Sequence, residues 1–385
     1  MKIAILLETS FSGGGSFTHS INASQNINKH LKNHEVKVYT NIKKNYLILN
    51  KLNLNTILFK FNLFDKIILK LSIFKLLRGI IKLLNIKTSL EKNLINDGID
   101  IVYFPVLSNT VFSLKNIKFF STFLDLEHFR HSIFPEIDKY EFERREKLYF
   151  YALKRSYLIT VSHKIIKKKM CKHYGLNNKK VIVIPYSPSS LFKKSKKLNH
   201  VKKLKKIKNY FFYPAQIWGH KNHISIIKAA YLLKKFNKNI NFIFSGRDRG
   251  YKSELEKYIN QKKIKNVHFV GYLDNNEMDY AYKNCIGVIF PCLFGPDAIP
   301  PLEAWSYKKP LIYNNKFKKD VPSNSAILVN VKNPKLISHA IVKIYTKKYN
   351  NNNLLNGLKR LKKIKKDSEK GYKDLNKKIN IFLNK

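Results

Sequence analysis

The stretch YFFYPAQIWGHKNH at residues 210–223 joins a short apolar run to a polar loop, which leads into a segment with helical apolar spacing. Short apolar runs alternate with longer helical patterns on both sides of this stretch, which is typical of an α/β fold with parallel sheets. In the first half we predict strands at Ile3–Leu7, Val36–Thr40, Ile99–Pro105, Phe119–Leu124, Leu158–Val161 and Val181–Pro185. In the second half we predict strands at Tyr210–Pro214, Ile240–Ser245, Val267–Val270, Gly287–Pro291, Leu311–Asn314 and Ala326–Val329.

The length and the linker-like composition of one region predict two domains. A chain of 385 residues is too long for one ordinary hydrophobic core. Residues 186–209 are rich in Ser, Pro and Lys and have little apolar periodicity, which favours a linker. We therefore expect a Rossmann-like domain at 1–190, a linker at 191–209 and a second Rossmann-like domain at 210–365. A C-terminal helix is expected at 366–385, for which packing back onto the first domain is one option.

The chain is strongly basic. It has 74 Lys and Arg against 25 Asp and Glu, a formal net charge of +49. Such an excess favours nucleic acid, an anionic membrane surface or a phosphorylated substrate as partner. Lys, Asn and Ile are abundant everywhere, however, so a coding bias explains the charge equally well. The basic residues are spread along the chain and form no recognisable nucleic-acid-binding module, so we expect no nucleic-acid partner.

Cysteine usage and the N-terminal sequence indicate the compartment. Cys171, Cys285 and Cys292 are odd in number and lack CxxC spacing, which argues against a disulfide framework or a zinc site. The N-terminal apolar run is too short for a signal peptide, and no stretch reaches the ~20 apolar residues of a spanning helix. We expect a cytoplasmic protein, either free or peripheral on the cytoplasmic face of the inner membrane.

One segment of the first half is unusually apolar and carries basic residues. Residues 61–84 read FNLFDKIILKLSIFKLLRGIIKLL. If this segment is one helix, Lys75, Arg78 and Lys82 share a face while Lys66 and Lys70 lie on another. Two interpretations remain open: a domain helix whose lysines extend to solvent, and a helix that docks on an anionic leaflet.

The stretch FGPDAIPPLEAWSYKKPLIY at 294–313 carries the first candidate site. It follows an apolar strand, and we expect a helix to begin near Ile299–Pro301, where proline is favoured at the first position. The free N–H groups of the first turn would then lie at the carboxyl edge of a parallel sheet, where anions bind. Glu303, one turn in, is placed to accept two hydrogen bonds from a ribose diol, although Glu is also common near helix N-termini for the dipole alone.

Two further strand-end loops of the second half carry polar or cationic residues. Lys221 lies between a strand and a helix, where it can meet a diphosphate with a charge-assisted hydrogen bond. Gly246 and Arg247 follow the next strand. Together with the 294–304 loop, these loops outline a nucleotide crevice. In the first half, the glycines at 13–15 predict either a flexible turn or a close backbone approach to a ligand.

Five blocks resemble glycosyltransferase family 4, particularly bacterial mannosyltransferase-like members of polysaccharide pathways. They are HKNH at 220–223, FGPDAIPPLEA at 294–304, DLEHFRHSIFPE at 125–136, FERREKLY at 142–149 and VSH at 161–163. The resemblance covers nearly the whole chain. It implies a GT-B fold, with two Rossmann-like domains facing each other across a cleft, and metal-independent hexosyl transfer with retention at the anomeric carbon.

The same resemblance implies roles for individual residues. Glu303 matches the second glutamate of the family's Glu-x7-Glu motif, which binds the ribose, and Lys221 matches the lysine that neutralises the donor diphosphate. His128 matches a catalytically important histidine, which would hydrogen-bond the donor sugar or orient the acceptor. Gly14 and Gly15 match a loop that lies beside the acceptor and the diphosphate.

Two positions depart from the family pattern. The first glutamate of the motif falls at Gly295, so its contact to the donor sugar must come from Asp297 or from the backbone of Ala298–Ile299. Gln216 stands where many members carry a phosphate-binding arginine, so Arg247 would share the diphosphate charge with the lysine of the HKNH block.

The expected partners follow from the resemblance. We expect a nucleotide-sugar donor as substrate, with GDP-mannose favoured, no metal and no further cofactor, and a glycan or lipid-linked acceptor in cell-surface polysaccharide or lipopolysaccharide biosynthesis. The departures at Gly295 and Gln216 leave a catalytically inactive homologue as an alternative. A sugar-nucleotide epimerase would need acid/base carboxylates that the sequence does not indicate.

Overall fold

The protein folds into two compact units, each built on one parallel sheet. The computed structural model describes residues 1–130, 134, 136–191, 202–234, 239–295, 298–318, 324–349 and 352–383. The first unit comprises Met1–His131, Ile137–Tyr186 and Lys366–Lys385. The second unit comprises Ser132–Glu136 and Ser187–Lys365.

Seven strands form the sheet of the first unit within its described residues, in the order β3-β2-β1-β4-β5-β6-β7, with every neighbouring pair parallel. The strands are β1 Lys2–Leu6, β2 Glu35–Thr40, β3 Thr56–Leu58, β4 Ile101–Phe104, β5 Lys118–Phe123, β6 Ile159–Val161 and β7 Val181–Val183. The central strands are apolar on both faces and almost entirely buried. That burial is expected for a parallel sheet covered by helices on both sides.

The helices of the first unit connect these strands. They are α1 Gly15–His30, α2 Lys43–Lys51, α3 Leu63–Leu71, α4 Lys75–Leu83, α5 Ser89–Asn96, α6 Lys139–Arg155 and α7 Lys164–Tyr174. Several begin at a side-chain cap: Thr88 accepts from the Glu91 N–H, and Asp138 accepts from the Glu141 N–H. Such caps satisfy N–H groups that have no partner within the helix.

The sheet of the second unit has six strands in the part that the structure describes, in the order β10-β9-β8-β11-β12-β13, all parallel. They are β8 Tyr210–Pro214, β9 Asn241–Ser245, β10 Val267–Gly271, β11 Gly287–Phe290, β12 Leu311–Asn314 and β13 Ile327–Val329. The helices are α8 Lys202–Lys205, α9 His223–Leu233, α10 Lys252–Gln261, α11 Asn275–Asn284, α12 Ile299–Ser306, α13 Pro334–Tyr345 and α14 Asn352–Leu383. None of the helices described here is long and apolar enough to cross a membrane.

Both sheets have the doubly wound order, in which the direction of strand addition reverses once. The reversal lies between β1 and β4 in the first unit and between β8 and β11 in the second. At such a point the loops at the carboxyl ends of two adjacent strands diverge, and ligands of open α/β sheets bind there. The α/β fold class predicted from the sequence is confirmed. Each of the twelve predicted strands coincides with an observed strand.

Two local expectations were wrong. The short strand β3 was missed because it has only three half-buried residues, which carry little periodic signal. The segment 61–84 is two helices, α3 and α4, and not one. The chain turns between them at Ser72, whose side chain is buried, and Arg78 Nη1 donates to the carbonyl oxygens of Ser72 at 2.8 Å and Ile73 at 3.4 Å.

Helix α14 contributes to both units. In the second unit, Gly357 lies against the Trp305 indole, where a Cβ would come within 2.4 Å of Cδ1. In the first unit, the Tyr372 ring stacks on His30 with centroids 5.5 Å apart, and Gly371 packs against the end of β7. Of the predicted linker, residues 192–201 lie outside the described residues, and α8 follows them with Leu204 buried.

The contact of Gly371 with β7 generates a stability prediction. An alanine Cβ at Gly371 would lie 2.6 Å from the carbonyl oxygen of Val183 and 2.9 Å from Cγ1 of Ile184. We expect Gly371→Ala to destabilise the protein by about 1–3 kcal/mol because the helix must move away from the strand. The midpoint of thermal unfolding measures this effect.

The matched control is Gly79→Ala in α4, where a Cβ meets no atom within 4 Å. That substitution should be neutral or stabilise by up to about 1 kcal/mol, because alanine has the higher helix propensity. Equal unfolding midpoints for the two variants would contradict the close packing of Gly371.

Candidate functional site

The loops that follow β8 and β11 flank the reversal point of the second sheet and contact each other directly. The Leu293 N–H donates to the carbonyl oxygen of His220 at 2.9 Å. Asn222 Nδ2 donates to the carbonyl oxygens of Pro291 at 3.3 Å and Val331 at 3.1 Å. Asn222 adopts the left-handed conformation, with φ of +58°, which Asn tolerates better than most residues. These contacts fix the backbone on either side of Lys221.

Lys221 places a positive charge at this point. The Tyr213 hydroxyl donates to its carbonyl oxygen at 2.7 Å. Its Nζ lies 3.7 Å from Cys292 Sγ and 5.7 Å from the ring centroid of Phe290. Among the residues that the structure describes, no carboxylate lies within ion-pair distance of Nζ. A half-buried cation without a carboxylate partner is suited to an anionic ligand.

The loop after β9 runs beside the loop after β8. Gly246 has φ of +145°, and a Cβ there would come within 2.3 Å of the carbonyl oxygen of Ala215, so only glycine permits this approach. The Ile217 N–H donates to the carbonyl oxygen of Arg247 at 2.9 Å, and the Arg247 guanidinium lies 5.9 Å from the Tyr272 ring. The structure therefore brings the predicted residues of these two loops together.

Gln216, which the sequence resemblance aligns with a phosphate-binding arginine, makes its hydrogen bonds to nearby side chains. Its Oε1 accepts from Trp218 Nε1 at 2.9 Å and from Arg249 Nε at 3.2 Å. Arg249 also lies over the Trp218 ring at 5.5 Å. The glutamine thus holds a second arginine at this sheet edge, one that sequence reasoning did not single out.

Glu303 is almost completely buried in α12. Its Oε2 accepts from the Tyr282 hydroxyl at 2.5 Å. Burial raises the pKa of Glu303 from its usual 4.5 to about 7, and hydrogen bonds from Tyr282 and the Ser189 backbone oppose this rise. At physiological pH the carboxyl group is therefore only partly ionised.

The N-terminus of α12 lies within the range predicted from the sequence, Ile299–Pro301, although its first helical residue is not a proline. The helix begins at Ile299, with Ala298 as the N-cap residue and no side-chain cap. Pro300 and Pro301 follow within the first turn, so prolines do not occupy its first position. Because proline lacks an N–H, Ile299 is the one donor among the first three helical residues. Asp297 lies outside the described residues.

Gly295 has no room for a side chain. A Cβ at this position would lie 2.9 Å from three ring carbons of Phe317, which is itself buried. An aromatic ring thus fills the space beside the position that the sequence resemblance aligns with the first motif glutamate. A glutamate could be accommodated only if Phe317 moved.

The predicted glycine loop of the first unit leads into α1. Gly14 is the N-cap residue with φ of +65°, and a Cβ on Gly15 would meet open space. Across the reversal point, Glu8 accepts from Ser108 Oγ at 2.5 Å and Thr110 Oγ1 at 2.7 Å. Burial raises the pKa of Glu8. These bonds join the loops after β1 and β4 at the same sheet edge.

His128 is completely buried and is held by Glu146 on α6. Its Nε2 lies 2.8 Å from Glu146 Oε1, which also accepts from the Tyr174 hydroxyl at 2.6 Å. Burial lowers the pKa of His128, against the opposing effect of Glu146, and so favours the neutral imidazole. Its buried Nδ1 has no hydrogen-bond partner among the described residues.

Three partners of the predicted residues were not found from the sequence: Tyr282 for Glu303, Glu146 for His128 and Glu136 for His220. The His220 N–H donates to Glu136 Oε1 at 2.9 Å, and its ring Nδ1 contacts the same oxygen. Both glutamates lie within blocks that carried the family resemblance, so a signal existed for them. Tyr282 lies in α11, and no motif marks it.

The three cysteines are free and buried. Within the described residues, no group of three or more His, Cys, Asp or Glu side chains is arranged to hold a metal ion.

Comparisons with known proteins find similarity in the second unit and over about half of the chain. Residues 193–356 match the family model described as "Glycosyl transferases group 1". The chain is 28% identical over 207 residues to the O-antigen chain mannosyltransferase RfbU of Salmonella typhimurium. That alignment covers 52% of this chain and 55% of the relative, so the chain spans about half the length of the curated relative that it matches.

Solved structures resemble the whole chain. The structure of HepE from Anabaena in complex with UDP-glucose has a TM-score of 0.71 at 13% identity, covering 97% of this chain and 99% of that one. A glycosyltransferase from Rickettsia africae has a TM-score of 0.63 at 15% identity, with coverage of 99% and 97%. At these identities the similarity shows the fold alone. The chain therefore has the GT-B fold, and its residues 193–356 match the group 1 glycosyltransferase model.

Proposed function

We propose that the protein is a glycosyltransferase that moves a hexosyl group, preferably mannosyl, from a nucleotide-sugar to a glycan or lipid-linked acceptor, with retention. The observation that carries the proposal is that Lys221 and Glu303 lie on the two chain segments that follow β8 and β11 at the reversal point of the second sheet. Lys221 supplies a cation with no carboxylate partner among the described residues, and Glu303 supplies a buried hydrogen-bond acceptor. A nucleoside diphosphate needs both kinds of group, for its phosphates and for its ribose.

The chemistry follows from where charge develops. When the bond between the anomeric carbon and the diphosphate breaks, negative charge accumulates on the leaving phosphate oxygens. Lys221 Nζ and the N–H of Ile299 would stabilise that charge, with Gly246 allowing the loops to approach and Arg247 and Arg249 adding positive potential. Glu303 would hold the ribose while the leaving group separates.

Two further candidate groups lie in the first unit. Glu146 fixes the imidazole of His128 so that its unprotonated Nδ1 can accept a hydrogen bond from a sugar hydroxyl. The loop at Gly14–Gly15 would approach the acceptor or the diphosphate through its backbone. In this assignment the protein binds and orients both substrates without a metal or a further cofactor.

The donor and the biological setting are the finer part of the proposal. The partial match to an O-antigen chain mannosyltransferase supports GDP-mannose as donor and cell-surface polysaccharide or lipopolysaccharide synthesis as the process. The HepE complex, in which that protein holds UDP-glucose, makes UDP-sugars the alternative to test. We place the reaction at the cytoplasmic face of the inner membrane, where a lipid-linked acceptor would be available.

Nucleotide-sugar binding should depend on both residues of the pair. Thermal shifts of the purified protein with GDP-mannose and UDP-glucose measure binding. At about a hundred times its dissociation constant, the true donor should stabilise the protein by roughly 2.7 kcal/mol. Lys221→Ala and Glu303→Ala should each weaken its binding roughly 10- to 100-fold, because each loses a hydrogen bond to or from a charged group.

The matched control for the lysine is Lys228→Ala on α9, which is exposed in the same unit. It should bind the donor like the wild type. An equal loss of donor affinity in the Lys228 and Lys221 variants would show that the general positive charge of the chain causes the effect. It would contradict a specific role for Lys221.

Donor affinity should rise with pH. A ribose diol donates to the ionised carboxylate, and Glu303 has a pKa of about 7 in the free protein. Titration calorimetry should find the nucleotide-sugar bound about tenfold more weakly at pH 6 than above pH 8, because the site must first lose a proton. The Glu303→Gln variant should bind the donor weakly, with an affinity that does not change with pH over this range. Tyr282→Phe should move the rise to higher pH, because the Tyr282 hydroxyl bond lowers the pKa of Glu303.

The stability of the free protein should change with pH in the opposite direction to the donor affinity. A carboxyl group whose folded pKa is raised contributes stability below pH 4.5 that is lost as the pH rises through about 7. The free wild type should therefore lose more stability than Glu303→Gln between pH 5 and pH 8. A pH-independent donor affinity in the wild type would contradict the role of Glu303.

The proposed chemistry predicts the product and its requirements. NMR of the transfer product should show the same anomeric configuration as the donor, and addition of EDTA should leave the rate unchanged. His128→Ala should lower the rate on the order of 100-fold or more if its Nδ1 contacts a reacting sugar. Donor binding without transfer or hydrolysis, for every acceptor tested, would instead favour a catalytically inactive homologue.

A further inference from the structure

Helices α3 and α4 present an apolar surface to solvent. Half of the exposed large hydrophobic side chains in the described part of the chain lie between Leu63 and Leu84. Leu76 is 84% exposed and Leu83 is 85% exposed, values close to those of an extended chain. The others are Leu63, Phe64, Ile67, Leu71, Phe74, Leu77, Ile80 and Leu84. We call these ten side chains the α3–α4 surface. An apolar cluster of this kind marks an interaction site more often than scattered hydrophobic residues do.

The two helices are firmly anchored beneath that surface, so the exposure belongs to the fold. Asp65 is fully buried, closes the capping box of α3 with Asn62 and accepts from the Ser89 N–H at 2.8 Å. At the other end, the buried Lys115 Nζ donates to the carbonyl oxygens of Ile81, at 3.2 Å, and Ile86. Polar bonds therefore hold both ends of the pair while its outward face stays apolar.

Arg78 adds a third anchor and is not part of the surface charge. Its guanidinium lies 4.1 Å from the ring centroid of Tyr151 and 5.1 Å from that of Phe112. It also donates to the carbonyl oxygens at the turn between the helices. Arg78 thus faces the unit and orients α4 with its leucines outward.

The exposed charged residues of the segment 61–84 all have the same sign. Lys66, Lys70, Lys75 and Lys82 are all exposed. The one carboxyl group between residues 61 and 84 is Asp65, which is buried. This combination of exposed aliphatic and phenyl groups with lysines is that of a segment that binds at the interface of an anionic bilayer.

The same composition argues against two other occupants. A second copy of the chain would bring the lysines of two α3–α4 surfaces together without a carboxylate to pair with them. A protein partner is usually bound through Tyr, Trp and Arg at the centre of the interface. None of these residue types is exposed between residues 61 and 84 in the described structure.

We propose that the α3–α4 surface docks the protein on an anionic phospholipid leaflet, with the leucines and phenylalanines entering the interface and the four lysines contacting headgroup phosphates. The docking deepens the placement of the proposed function at a membrane, but it does not depend on the donor or on catalysis. No membrane-spanning helix is involved, because α3 and α4 have nine residues each.

Vesicle co-sedimentation of the full chain tests the proposal. Because a chain of charge +49 binds anionic vesicles electrostatically, the decisive condition is about 1 M salt, where the Debye length is about 3 Å. Wild type should remain bound to phosphatidylglycerol vesicles there. Leu76→Ser with Leu83→Ser should lower binding on the order of 100-fold, because two highly exposed leucines no longer enter the interface.

Two further variants complete the experiment, one that replaces the lysines and one that replaces a matched pair of leucines. Replacing Lys66, Lys70, Lys75 and Lys82 by Gln should lower binding at low salt by about tenfold or more and have little effect at high salt. Leu336→Ser with Leu355→Ser removes two exposed leucines of the second unit and should leave binding unchanged. All variants should keep the wild-type unfolding midpoint and the wild-type thermal shift with the donor, which separates docking from folding and from the proposed function.

Two results would overturn the proposal. Binding that disappears in high salt and is insensitive to Leu76→Ser with Leu83→Ser would assign it to the overall charge of the chain. A dimer in light scattering, dispersed by that same double substitution, would show that a second copy covers the surface.

Discussion

The reversal of strand order next to β8 is the constraint on which the candidate donor site depends. Because every strand of the second sheet is parallel, all the loops that follow the strands emerge at one edge. The loops after β8 and β11 flank the reversal point, and the backbone bond from Leu293 to His220 together with the Asn222 side chain fixes their separation. This backbone positions the cation of Lys221, which forms no ion pair with the described part of the chain.

The buried carboxyl group of Glu303 is the second determinant of the site. A buried carboxylate is unfavourable unless hydrogen bonds satisfy it, and here Tyr282 and the Ser189 backbone do so only partly, as the raised pKa shows. A ligand that donates two hydroxyl groups would complete this environment. The same burial that raises the pKa of Glu303 thus makes the group a stronger acceptor for a ribose once it is ionised.

Much of the fold could be predicted from the sequence, because parallel strands buried on both faces are continuous apolar runs. The apolar pattern did not predict elements that consist of few residues or that depend on tertiary contacts. The three residues of β3 are too few to show a period, and the break between α3 and α4 depends on Arg78, which satisfies the carbonyls of the turn only after the chain has folded.

The candidate site was predictable in part, from residue types at strand ends. The loops at Lys221, Gly246 and Gln216 do lie together, while their chemical roles remain predictions. The sequence could not reveal that Phe317 fills the space beside Gly295, or that Tyr282 bonds to Glu303, because both partners come from other elements and follow no motif.

A crystal structure of the protein with its nucleotide-sugar tests the central claim most directly. The account predicts the ribose hydroxyls within hydrogen-bond distance of the Glu303 carboxylate and a diphosphate oxygen within about 3 Å of Lys221 Nζ. A nucleotide bound elsewhere, with Lys221 and Glu303 in their present contacts, would contradict the assignment of the reversal point of the second sheet as the donor site.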